Sequence, residues 1–217
     1  MNCDRIARWY RWLEYLSFGG LLQGRRRKFL PEVATSRRVL ILGDGDGRFT
    51  TEFLYASPLA KVDSVELSAN MLRLAESRIP PHDLRSGRIR LLHGDVRRVP
   101  LSGNYDLVVT HFFLDCFSTS ELETLFSHIV QFVTPDVRWL VSEFRLPAAG
   151  APRFIGQRLV AALYWSFGIL ADLKTRRLPN YSAVFRAHGF RRQKQHLTAG
   201  GILVSEIWVR AADRVGK

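Results

Sequence analysis

A chain of 217 residues with 47% hydrophobic content holds enough apolar material for one sizeable core with appendages. Its two cysteines, Cys3 and Cys116, lie far apart and form no CxxC pair, so neither a disulfide framework nor a zinc site is indicated and a reducing cytoplasm fits. The net charge of +12 comes mostly from arginine and admits nucleic acid, an anionic membrane surface or an acidic small molecule without choosing among them.

Residues 6–30 mix Trp9, Tyr10, Trp12, Tyr15 and Phe18 with many arginines, so residues 1–36 are predicted to form an N-terminal helical lid. This stretch has no continuous apolar segment of the secretory type. From residue 37 onward short β-rich runs alternate with helical patterns, as in a parallel sheet wrapped by helices. The first strand, 38–42, ends in Gly43-Asp44-Gly45-Asp46-Gly47, and 48–56 reads as a helix. Strand two is 61–67, followed by a helix over 69–79 that Ser68 caps and Pro80-Pro81 stops. Strand three is 88–93, closing at Gly94-Asp95. Strand four is 106–110, a helix follows over 120–133 with Ser118, Thr119 or Ser120 as its cap, and strand five is 137–144.

Residues 152–178 form a long aromatic-rich helical pattern where a bare connection would be short, which places a cap insertion at about 146–180. Its longest apolar run, 159–170, is too short to span a bilayer. A short helix over 181–188 leads to a hairpin of 190–197 and 202–210, turned by Ala199-Gly200-Gly201. The expected fold class is α/β, with one domain over 37–217. It is a Rossmann-like, doubly wound, seven-stranded, mostly parallel sheet with a C-terminal antiparallel hairpin and helical lid elements.

A buried strand that runs into Gly-x-Gly-x-Gly and then a helix lets the backbone approach a ligand closely. The dinucleotide fingerprint has its third glycine three positions after the second, here Arg48, so Gly47 disfavours a pyrophosphate site. Glu66, ending strand two, can accept both hydroxyls of a ribose; as an alternative it is a surface glutamate. Asp95 can accept from an adenine amino group while the Val96 N–H meets a ring nitrogen, or it is a simple turn aspartate.

Together these residues resemble the class I S-adenosylmethionine methyltransferases, from residue 38 to residue 210. The segment Arg5-Ile6-Ala7-Arg8-Trp9-Tyr10 is similar to the lid of the quinone and phospholipid methyltransferases within that class, although Arg11 stands where aspartate is common. The resemblance implies S-adenosyl-L-methionine as cofactor, S-adenosyl-L-homocysteine as product and no metal. It puts Gly43, Gly45 and Gly47 under the cofactor, Glu66 at the ribose with Leu67 also against the cofactor, Asp95 and Val96 at the adenine, and Met71 packed on the adenine. The family often carries an acid two places before the first glycine, where this chain has Ile41. Asp44 or Asp46 can then meet the cofactor's amino group, and Arg25-Arg26-Arg27-Lys28 its carboxylate, an anionic substrate or a membrane surface; as an alternative the basic run is a solvated helix face. The loop is also similar to that of spermidine synthases, but those carry paired acids after strand four and only Asp115 is available here.

Ligands of doubly wound sheets lie beyond the carboxyl ends of the strands, so Thr110-His111-Phe112-Phe113-Leu114-Asp115 should face the transferred group. Thr110 and His111 are expected to line the cofactor. His111 is also the candidate general base, with Asp115 orienting it or capping a helix. Tyr10, Tyr15, Tyr164, Trp165 and Tyr181 are the candidate substrate lid, or else core aromatics. The expected function is methyl transfer to a small hydrophobic or aromatic acceptor in the cytoplasm. The charge raises an RNA or protein methyltransferase as the alternative, though no Asn/Asp-Pro-Pro-Tyr follows strand four. Ile41 raises a non-catalytic cofactor-binding protein.

Overall fold

The computed structural model describes residues 19–145 and 178–210. The predicted lid residues Tyr10 and Tyr15 and cap residues Tyr164 and Trp165 lie outside the described residues. In chain order the elements are α1 (Gly19–Arg27), α2 (Leu30–Val33), β1 (Arg38–Leu42), α3 (Arg48–Ala56), β2 (Lys61–Glu66), α4 (Ala69–Arg78) and α5 (Pro81–Arg85). There follow β3 (Ile89–His93), β4 (Tyr105–His111), a 3-10 turn (Leu114–Cys116), α6 (Thr119–Ile129), β5 (Val133–Phe144), α7 (Tyr181–Ala187), β6 (Phe190–Thr198) and β7 (Leu203–Arg210).

The strands form a seven-stranded sheet in the order β3-β2-β1-β4-β5-β7-β6. Strands β1 to β5 pair in parallel, whereas β7 runs antiparallel to both β5 and β6, so the expected architecture is present. Strand β1 is central and covered on both faces, which is why Val39-Leu40-Ile41-Leu42 is an unbroken apolar run. One face packs Val39, Ile41 and Val109 against Phe49 and Phe53 of α3 and Ile79 beside α4. The other packs Leu40, Val108 and Val141 against Leu122, Phe126 and Ile129 of α6 and Phe185 of α7. There Phe126 stacks on Trp139 and Phe185 on Trp208, each with ring centres 4.5 Å apart. Trp139 and Trp208 are themselves register partners, so the hairpin belongs to the core.

Three departures from the sequence expectation are larger than a single residue at an element's end. The residues after Pro80 form α5, because Pro81 occupies a first-turn position where its missing N–H is harmless. Helix α6 ends at Ile129, and Ser118 is its cap, in a reciprocal capping box with Glu121. Strand β5 starts at Val133, ahead of the predicted residue 137. Its pairing jumps from Tyr105↔Val133 to Leu107↔Arg138, a bulge that accommodates Pro135.

The sheet order reverses between β1 and β4, which opens a crevice at their carboxyl ends. The glycine turn after β1 and the turn after β4 flank it. Helix α1 is fastened near the same end of the sheet, because the Arg25 carbonyl accepts from Ser142 Oγ at 3.1 Å and Ser205 Oγ at 2.9 Å. Among the described residues no helix is long and apolar enough to cross a membrane.

Candidate cofactor and acceptor site

The three glycines of the turn are all left-handed, with φ of 65°, 66° and 75° at Gly43, Gly45 and Gly47, yet each answers a different need. A Cβ on Gly43 would lie 2.4 Å from the Phe113 ring, and one on Gly47 would lie 2.7 Å from the Ala75 Cβ. A Cβ on Gly45 would meet nothing within 4 Å. The first and third glycines therefore let the turn pack against the protein, while the second faces open space.

Glu66 sits beside that opening. Its Oε2 accepts the Gly45 N–H at 3.2 Å and its Oε1 the Ser68 N–H at 2.8 Å, so one carboxylate joins the turn to the cap of α4. Burial pushes its pKa up, and the backbone N–H bonds hold it back. Each oxygen retains acceptor capacity. Ser68 caps α4 through the Met71 N–H, which places Met71 in the buried first turn, while Leu67 is exposed and its carbonyl faces His93 Nε2 at 3.1 Å.

Asp95 follows β3 as expected, but its carboxylate is held in a two-pronged ion pair by Arg97, at 2.9 Å to Nε and 2.6 Å to Nη2. That pairing keeps its pKa below the usual aspartate range. Val96, next to it, is buried in the core on the α6 side.

Arg26, Asp44 and His111 form a buried polar group beside the turn. Asp44 turns inward, and its Oδ2 accepts the Thr50 N–H at 2.8 Å while Oδ1 has no hydrogen-bond partner. Burial raises the Asp44 pKa to about 6, with the nearby Arg26 cation opposing the rise. His111 is wedged edge-on against Phe49, ring centres 4.5 Å apart, and neither ring nitrogen has a partner. Burial first, and the Arg26 charge second, hold its pKa well below the usual histidine range, so the imidazole is neutral. Arg26 also lies over the Phe112 ring at 5.6 Å. Asp46, the other turn acid, pairs with Arg48 and Arg78.

Thr110, next to His111 in β4, points to the other face of the sheet. The Thr110 hydroxyl accepts the Trp139 Nε1–H at 3.0 Å, inside the core. Asp115 lies in the 3-10 turn, and burial raises its pKa to about 6. Since both His111 nitrogens lack partners, Asp115 does not orient that ring. Tyr181 opens α7, packs on Phe185 and donates from its hydroxyl to Glu206 Oε2 at 3.3 Å.

Glu143 was not among the residues the sequence singled out. It is fully buried near the end of β5, and its Oε1 accepts the Phe113 and Leu114 N–H groups at 3.0 and 2.8 Å. The available signal was a lone acid in the otherwise buried run Trp139-Leu140-Val141-Ser142-Glu143-Phe144. Among the described residues no group of three or more His, Cys, Asp or Glu is placed to hold a metal.

By sequence, residues 39–136 match a family described as a methyltransferase domain. The malonyl-[acyl-carrier protein] O-methyltransferase of Halalkalibacterium halodurans is 34% identical over 95 residues, or 42% of this chain; the match spans 32% of that relative's length, about a third. Among solved structures, the Burkholderia thailandensis 1,6-didemethyltoxoflavin-N1-methyltransferase, with 1,6-didemethyltoxoflavin and S-adenosylhomocysteine bound, superposes with a TM-score of 0.67 at 16% identity. It covers 96% of this chain and 86% of the other. Human N-acetylserotonin methyltransferase in complex with S-adenosylmethionine gives a TM-score of 0.66 at 18% identity, covering 98% of this chain and 60% of the other. Over residues 39–136 the chain matches a methyltransferase-domain family by sequence, and its sheet shares the fold of these two methyltransferase structures.

Proposed function

We propose that the chain is an S-adenosylmethionine-dependent methyltransferase that moves a methyl group to a small hydrophobic or aromatic acceptor. The observation that carries this reading is the open space at Gly45, whose N–H binds the Glu66 carboxylate and whose neighbour Asp44 keeps a buried, unpartnered Oδ1. When bound, the cofactor supplies an electrophilic methyl on a sulfonium. The residues fit its groups. Glu66 accepts from the ribose hydroxyls, Asp95 and Val96 serve the adenine, and Met71 lies in the helix turn beside it. Asp44 Oδ1 accepts from the ammonium of the methionine end, and Arg26 donates to its carboxylate, so these two replace the acid that Ile41 lacks.

Methyl transfer is an in-line displacement that depends chiefly on holding the acceptor close and aligned. A base is needed only where the acceptor loses a proton. The burial that keeps His111 neutral also makes it a weak proton acceptor, which supports a role in the pocket wall. The small-molecule acceptors named for the two structural neighbours support the acceptor class.

Calorimetry with S-adenosylmethionine and S-adenosylhomocysteine tests the cofactor; binding of neither sinks the reading. For the acceptor, methyl label recovered in an organic extract supports a small molecule. Label in RNA with salt-sensitive binding supports the alternative that the +12 charge raises. Binding with no transfer to any acceptor supports the non-catalytic reading, which the buried Ile41 favours.

A further inference from the structure

We propose that Glu143 is a positioning residue for the cofactor turn, its buried carboxyl fixing the chain after β4 so that the Phe113 ring stands against Gly43. The proposal rests on the methyltransferase reading and adds to it a residue outside the glycine turn that shapes the pocket wall.

Strand β4 ends at His111, and the next residue, Phe112, has a φ of +53°, a left-handed setting that a phenylalanine adopts only when its surroundings impose it. What imposes it is a ladder to β5. The Phe112 N–H donates to the Ser142 carbonyl at 2.7 Å, and the Phe113 and Leu114 N–H groups both donate to Glu143 Oε1. Three consecutive N–H groups are thus tied to two consecutive residues of β5. The side chain after the left-handed residue is thrown toward β1, where Phe113 fills the space a Cβ on Gly43 would need, with Phe117 edge-on behind it at 5.0 Å.

A carboxyl buried this completely in a strand is costly, and an apolar side chain would suit the burial better. What an apolar residue cannot do is accept two N–H groups. Burial and the nearby Asp115 charge both favour the protonated form of Glu143, and a neutral carboxyl still accepts through its carbonyl oxygen. The geometry therefore needs an oxygen acceptor, not a charge. Glu143 acts on the cofactor through Phe113 and touches no reacting atom.

The test uses the full chain and compares E143Q, E143L, F113A and the double variant E143L/F113A. The readouts are S-adenosylhomocysteine Kd by calorimetry, kcat and KM for S-adenosylmethionine, and cooperative melting. Wild-type binding comes first, since its absence defeats the methyltransferase reading itself and this proposal with it. Given that binding, E143L is expected to melt cooperatively and to weaken the cofactor Kd and KM tenfold or more. E143Q, which keeps the carbonyl oxygen, should recover to within about twofold. F113A should reproduce the loss, and the double variant should be no worse than F113A alone.

Wild-type affinity in a folded E143L overturns the proposal, as do additive losses in the double variant. An E143Q that binds normally but cannot turn over also overturns it, by making the Glu143 proton part of the chemistry. If E143L does not fold, F113A decides the matter, and wild-type affinity there sinks the idea.

Discussion

Gly47 packs so tightly on Ala75 that a Cβ on Gly47 would lie 2.7 Å from the Ala75 Cβ, so α3 can begin only where α4 leaves room for it. Gly47→Ala adds a left-handed alanine to that overlap and should lower folding stability by about 2 kcal/mol, read as a lower urea midpoint. Gly45→Ala meets open space within the chain and should cost only about 1 kcal/mol of stability, from its φ of 66°. Its larger effect should be on S-adenosylhomocysteine affinity, roughly tenfold weaker, because the methyl group enters the ligand's side of the turn.

Asp44 makes two pH-dependent effects testable. Its folded pKa of about 6 lies above the ordinary 3.8, so its contribution to stability is present below pH 4 and is lost as pH rises through 6. The wild type should lose up to about 3 kcal/mol across that window relative to Asp44→Asn, measured by denaturation at each pH. Cofactor affinity should run the other way, rising as the carboxylate forms above pH 6 to meet the ammonium. A pH-independent affinity would remove Asp44 from the methionine end.

Glu66→Ala and Asp95→Ala should each weaken cofactor binding, by about 1 to 3 kcal/mol. Glu66→Ala should be the larger effect, because it also releases the Gly45 and Ser68 N–H groups, whereas Asp95→Ala frees Arg97. Calorimetry on both variants orders them; unchanged affinity in both would mean the adenosine lies elsewhere.

His111→Gln should leave turnover near normal if the ring is pocket wall, and a loss of 100-fold or more would restore it as a base. Stability gives an independent reading. A histidine that stays neutral when folded loses stability as pH falls below 6.5, because the unfolded chain takes the proton. The wild type should therefore weaken relative to His111→Gln between pH 7 and 5.

The sheet was legible because its central strands β1 and β4 are buried on both faces and announce themselves as apolar runs, and because the glycine turn and Gly200-Gly201 punctuate the chain. Strand β5 was read four residues short, since Pro135 looks like an interruption until the bulge opposite Tyr105 and Leu107 absorbs it. The positions of Glu66 at the end of β2 and of Asp95 after β3 were legible in the sequence. The Asp95–Arg97 pairing and the buried Arg26–Asp44–His111 group depend on side-chain directions that spacing does not encode. Glu143 escaped because a strand reading weighs the apolar residues around it, and only the turn from β4 shows what its carboxyl holds.

The run Arg25-Arg26-Arg27 reads as one block of positive charge, but the fold sends its members three ways. Arg25 reaches the Thr198 hydroxyl, Arg26 enters the interior toward Asp44 and His111, and Arg27 pairs with Glu52 at the surface. A helix advances 100° per residue, and Ser142 and Ser205 pin the Arg25 carbonyl, so the run has a reading frame. Deleting or inserting one residue beyond that pin would leave the charge count almost untouched and deliver the wrong arginine to the interior.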